Sequence, residues 1–160
     1  MSNRDAQHTK QPPTKEIFAP FTTYTNATYS AVGGFGGILI NANAEYTYCN
    51  IKLPWDFNRI VDAKVVFIAA ATATPMTFRI VTNWCKAEAL YSQANNLQAK
   101  SVNVIANYVH EVDMSQALIT LGGNTRIAAL DYLGVQVSSQ AGPPAQNTNA
   151  IFLGVKIRYK

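Results

Sequence analysis

Charge is what this sequence has least of. Only 14% of its 160 residues are charged, against about 25% in a typical soluble domain. So neutral a surface favours a chain that packs on copies of itself or on a partner. Cysteine is scarce as well: Cys49 lies in Tyr48-Cys49-Asn50 and Cys85 in Trp84-Cys85-Lys86. Two isolated cysteines in aromatic surroundings read as buried thiols, and their spacing gives no zinc pattern. No run of Lys or Arg exists. The net charge of +4 gathers at the ends, in Arg4, Lys10 and Lys15 and in Lys156, Arg158 and Lys160. Scattered cations of this kind argue against nucleic acid as a partner. The longest apolar run, Val65 to Ala71, is too short to cross a bilayer. The first residues lack the apolar core of a signal peptide. The expectation is a protein made in a cytoplasm, with no membrane partner.

What the sequence does have is period two. In Ala150–Lys160, Ile151, Leu153, Val155, Ile157 and Tyr159 alternate with Phe152, Gly154, Lys156 and Arg158. That is a strand with one buried face. Leu133, Val135 and Val137 repeat the pattern, and both segments contain Leu-Gly-Val. The reading is a C-terminal hairpin of two close-packed strands, with glycine where side chains would collide. The loop between them holds two prolines and several amides and continues neither strand.

Residues 1–20 are polar, carry Pro12, Pro13 and Pro20, and read as an extended N-terminal arm lying on a neighbouring subunit. Residues 21–160 read as one domain. Phe21–Ser30 suits a strand. Gly33–Gly37 has no Lys-Ser/Thr and no helix after it, so it is a turn or bulge and not a phosphate loop. Ile38–Ile40 and Glu45–Leu53 are strands, the second with Thr47, Cys49, Ile51 and Leu53 inward. Trp55 and Phe57 are placed to plug the end of a sandwich. The apolar run from Ala63 reads as a strand buried on both faces, forming a long hairpin with Met76–Cys85. Lys86–Lys100 reads as a long connection with a short strand near Tyr91. Strands follow at Ser101–Ala106 and Tyr108–Met114, then a short helix from Gln116 capped by Asp113 or Ser115. About eight strands with hardly any helix give an all-β, antiparallel β-sandwich of jelly-roll type. An immunoglobulin-like sandwich is the runner-up, but its Cys–Trp–Cys layout is not matched.

No catalytic constellation emerges. His110 points away from Glu111 and Asp113 on a strand, so the three cannot share one metal without a bulge. Glu45, Asp56 and Asp62 are scattered singly, and no Ser stands in a nucleophile elbow. The expectation is a non-enzymatic protein without metal, cofactor or small-molecule substrate. Its tyrosines and tryptophans read first as core and subunit-interface residues. A sugar-stacking surface is the second reading.

Several stretches together resemble a known group: Leu53-Pro54-Trp55-Asp56-Phe57, Ala63–Ile68, Asn107–Met114, Tyr132–Val135 and Leu153–Tyr159. Over roughly residues 45–160 the chain resembles small jelly-roll virion proteins of tailed phages and environmental viruses. The resemblance implies a capsid decoration or minor capsid protein, located in the virion, working as a homo-oligomer, trimer or higher, beside other capsid proteins. The arm and sandwich surface would clamp a neighbour, through Arg4, Lys10, Pro12, Pro13, Phe18, Phe21 and Tyr24. Tyr29, Tyr91 and Tyr108 are the expected surface aromatics. The alternative is a carbohydrate-binding module for host attachment.

Overall fold

The computed structural model describes residues 13–86, 96–119, 127–139 and 148–160. Its strands are β1 (Lys15–Pro20), β2 (Thr23–Thr25), β3 (Thr28–Val32), β4 (Phe35–Ile40), β5 (Tyr46–Lys52), β6 (Ile60–Ala69), β7 (Ala73–Cys85), β8 (Asn96–Val104), β9 (Val109–Asp113), β10 (Tyr132–Ser139) and β11 (Ala150–Tyr159). One short helix, α1 (Ser115–Ile119), follows β9. Two antiparallel sheets result. The β11 sheet runs β3-β4-β11-β6-β9, with β1 also on β11, and the β10 sheet runs β2-β5-β10-β7-β8. From β4 onward the pairing is nested: β4 with β11, β5 with β10, β6 with β9, β7 with β8. That winding is a jelly roll, so the expected sandwich is the observed fold.

Alternation decides which side chains meet between the sheets. Thr47, Cys49 and Ile51 of β5 lie in register with Val137, Val135 and Leu133 of β10, and all six are buried. β6 is buried continuously from Val65 to Ala69, as its apolar run predicts. Two phenylalanines from the β11 sheet, Phe67 and Phe152, meet Phe78 from the β10 sheet. The ring centroids are 5.3–5.5 Å apart, with both contacts to Phe78 edge-on. All three rings are wholly buried, an arrangement worth about 0.5–1.5 kcal/mol per pair beyond the area removed from water.

Several expectations are corrected. The C-terminal hairpin does not form: β10 and β11 lie in opposite sheets, and so do β6 and β7. Period two fixes the face a residue takes but not the strand beside it. Within β11 the alternation slips. A bulge between Phe152 and Gly154 leaves Ala150 and Phe152 in the core together with Val155, Ile157 and Tyr159. Ile151 is also buried, at 2% exposure, but lies outside that inter-sheet cluster, contrary to the simple pattern. The two Leu-Gly-Val motifs also differ. A Cβ on Gly154 would stand 2.5 Å from the Ala19 carbonyl oxygen, whereas one on Gly134 would meet nothing nearer than 3.7 Å. Only Gly154 marks a close approach.

The described part of the arm is not free. β1 pairs with the chain's own β11 from Lys15↔Tyr159 to Pro20↔Gly154, because β4 covers only Ala150–Phe152 and leaves the rest of that edge open. Ile17 and Ala19 alternate inward as the strand requires. Phe21–Ser30 is split rather than continuous. Asn26 and Ala44 both adopt left-handed backbone (φ 58° and 60°), and Asn26 Nδ2 donates to the Ala44 carbonyl at 3.1 Å. β2 thus joins one sheet and β3 the other. Phe57 plugs the sandwich against Tyr159, but Trp55 is 81% exposed. β8 begins at Asn96, earlier than expected, and the anticipated strand near Tyr91 lies outside the described residues.

Truncating the ring that joins the sheets tests this account. Phe152→Ala should destabilise by about 3–5 kcal/mol, read as a fall in the urea midpoint with unchanged slope. A loss below about 1 kcal/mol would mean that the three rings do not hold the sheets together.

Candidate functional site

The carboxylates come first, because an active site would need them. Glu45 accepts the amides of Asn41 and Ala42 at 2.6 and 2.8 Å, closing the β4–β5 turn. Asp131 accepts the Ala128 amide at 2.8 Å. Asp56 pairs with Lys15, and Asp62 with Arg158. Glu111 takes Lys156 and, at 3.0 Å, Lys64. Asp113 accepts the Ser115 hydroxyl and, at 3.0 Å, its amide, ahead of α1. Each of these groups has a structural partner. His110 and Glu111 lie on opposite faces of β9, as strand alternation requires. The His110 ring stacks on Phe67 at 5.5 Å and its Nε2 lies 3.1 Å from the Ile105 carbonyl. Among the described residues no cluster of His, Cys, Asp and Glu could hold a metal, and no helix is long and apolar enough to cross a membrane.

The expected contact residues separate. Arg4, Lys10, Pro12 and Tyr91 lie outside the described residues. Phe21 is 3% exposed and belongs to the core, against the edge of Phe152, so it is not a contact for a neighbour. The alternation Ile17-Ala19-Phe21 carried that signal, obscured by the intervening Pro20. Pro13, Phe18, Tyr24, Tyr29 and Tyr108 are exposed. Phe18 lies over Gly154 and Tyr29 over Gly36, each ring covering a glycine of the next strand. Tyr24 sits on the edge strand β2. Tyr108 stands elsewhere, in the turn from β8 to β9. That turn presents Ile105 and Tyr108 to solvent at 58% and 63% exposure, and Val109, the first residue of the edge strand β9, is 51% exposed.

The outward face of the β10 sheet holds a second feature. Gly134 pairs with Asn50 on one side and Asn83 on the other. The rows above and below place Tyr132 beside Lys52, and Gln136 beside Tyr48. Because Gly134 has no side chain, Tyr48, Asn50, Asn83, Tyr132 and Gln136 surround a groove of about 430 Å³. The Lys52 ammonium sits 5.5 Å from the Tyr132 ring centre. The Asn83 Oδ1 and Trp84 Nε1 atoms are hidden from solvent with no hydrogen-bond partner among the described residues. Alternation along β5 puts Tyr48 and Asn50 on its outward set, while Tyr132, Gly134 and Asn83 carry no motif that singles them out in the sequence. The signal was present: these are the residues that alternate with the core positions Leu133, Val135, Thr82 and Trp84.

Cys49 faces the core while Cys85, in register with Tyr132, faces outward, and both are free thiols. Burial pushes the Cys49 thiol up to about 12. A thiol reagent at pH 8 should leave Cys49 unmodified in the folded protein and react with it once urea unfolds the chain. Modification of native Cys49 at the rate of a free thiol would contradict its placement.

The Lys156 and Lys64 ammonium groups hold the Glu111 carboxyl below its ordinary value of 4.5. The Ser115 hydroxyl does the same for Asp113 below 3.8. A carboxyl depressed in the folded state stabilises above its unfolded value, and that stabilisation is lost as pH falls through the folded one. The urea midpoint should therefore hold from pH 7 down to about 5 and drop below that. Glu111→Gln should be less stable than the native chain at pH 7, with the gap closing in acid. Parallel curves for the two would show that the Glu111 pairs contribute nothing.

No protein-family model matches the sequence, and no curated protein matches it. Among solved structures, the chain is similar to a carbohydrate-binding module, CBM36, solved in complex with calcium and xylotriose. The TM-score is 0.41 at 12% identity, over 86% of this chain and 99% of that one.

Proposed function

We propose that this protein is a non-enzymatic structural component of a virus particle, of the capsid-decoration or minor-capsid type, that works by self-association. The observation that carries the reading is the β8–β9 turn. Short turns usually expose Gly, Asn, Asp or Ser; beside Asn107 this one exposes Ile105 and Tyr108, and Val109 at the start of β9 is exposed too. Ile105 and Tyr108 lie next to β9, whose only strand partner among the described residues is β6. An edge strand with apolar neighbours is a template for another strand, and a second copy of the chain is the occupant that fits. The adjacent outward face of the β11 sheet supports this choice. Its charges are already matched within the chain, Glu111 with Lys64 and Lys156 and Asp62 with Arg158. A second copy approaching that face meets paired charges and not like charges. The low overall charge and the resemblance to virion jelly rolls agree with the reading. The localisation that follows is the virion.

The test is the mass in solution by light scattering, with negative-stain images of the same sample. A multiple of 17.5 kDa, trimer or higher, is expected for the native chain. The double variant Tyr108→Ser, Val109→Lys should fall to the monomer mass while keeping the native β-sheet circular dichroism spectrum. A native chain that stays monomeric at all concentrations, or an assembly indifferent to the double variant, would refute self-association through this edge. Peptides of the chain absent from purified particles of its virus would refute the virion assignment.

A further inference from the structure

We propose that the groove over Gly134 is a binding site for a neutral pyranose unit of a glycan. The argument starts from the lattice of the sheet. Neighbouring strands are about 4.8 Å apart, and same-face residues along a strand about 7 Å apart. Asn50 and Asn83 therefore flank Gly134 at one strand spacing on either side, while Tyr132 and Gln136 stand one same-face step along β10. The notch is thus about one sugar ring wide.

Its chemistry is that of a hydroxyl-rich, uncharged ligand. A carboxamide offers a donor and an acceptor, as a sugar hydroxyl does, and three carboxamides border the groove. Tyr48 and Tyr132 add aromatic surface against which the C–H face of a pyranose packs. Among the described residues no carboxylate or cation lines the groove, so this lining suits an uncharged ligand. Lys52, at the margin, lies over the Tyr132 ring and fixes its position. A volume of about 430 Å³ falls within the range of small-molecule sites, roughly 300–1,000 Å³.

One observation points to a missing partner. Buried polar atoms in folded proteins almost always find a hydrogen bond, yet Asn83 Oδ1 has none among the described residues. Rotation of this carboxamide toward the groove would let a ligand hydroxyl donate to it. A purely structural outer face would gain more from a side chain at position 134, since a Cβ there meets nothing nearer than 3.7 Å. Glycine at that position leaves the notch open without being required by packing.

The experiment is titration of the full chain, labelled with nitrogen-15, with four neutral hexasaccharides of gluco, manno, galacto and xylo configuration, each to 10 mM. AMP serves as a planar, non-glycan comparison. The expected result is saturable shifting of the Asn50, Asn83 and Gly134 amides with at least one hexasaccharide. Tyr132→Ala and Gly134→Val should each weaken that binding at least tenfold. Gly134→Ala, whose Cβ has room, is the folding control: it should keep the native spectrum and urea midpoint while weakening binding. Silence of these amides toward all four hexasaccharides would overturn the proposal. So would shifts with AMP alone, or binding that survives both Tyr132→Ala and Gly134→Val in folded protein.

Discussion

Three phenylalanine rings hold this molecule together. Phe67 and Phe152 come from adjacent strands of one sheet, and Phe78 reaches them from the other. Two sheets stacked about 10 Å apart need side chains long enough to bridge the gap, and these rings do so at its centre. Phe21 extends the contact toward the N-terminal side, edge-on to Phe152, and His110 extends it toward β9 by stacking on Phe67. The interior is thus continuous from the first described strands to the edge at β9. Both outer faces are displayed by that one packed layer.

The faces differ in character because their residues do different work. On part of the β11 sheet, at Asp62, Lys64, Glu111, Lys156 and Arg158, the outward positions carry opposite charges in neighbouring strands, and these satisfy one another. Exposed pairs of this sort add little stability individually, but they leave a face with no strong field of either sign. On the β10 sheet the outward positions are amides, tyrosines and a glycine, with few charges to neutralise. Alternation within each strand lets one fold display both surfaces without changing its core.

Much of this was legible in the sequence. The alternation Thr47-Cys49-Ile51 and Leu133-Val135-Val137 gave the correct inward sets, and the apolar run from Val65 gave a strand buried on both sides. Partnership was not legible. Local pattern is the same whether β10 lies beside β11 or across the core from it, so the nearest candidate was chosen and was wrong. The slip in β11 was hidden for a related reason. A bulge adds one residue to one strand, and only the partner's register reveals it. Phe18 and Phe21 could not be told apart from composition, although one is half exposed and the other is in the core. The groove escaped notice because its residues are distant in sequence, at Tyr48, Asn83 and Gly134, and only the three-strand register of β5, β10 and β7 brings them together.

The nested pairing also has a consequence in time. β4 is joined to β6 only through β11, and β5 to β7 only through β10. During synthesis the strands that will flank these two emerge long before them. Neither sheet can close until the last strands have been made, and each closure spans a large loop. Chains dominated by such non-local contacts fold slowly, in milliseconds to seconds, with apolar strands unpaired in the meantime. The apolar stretch Val65–Ala69 is the segment most exposed to mispairing during that wait. Final docking of β11 would bring β4, β6 and β1 together in a single event, so the sheet should form cooperatively rather than strand by strand.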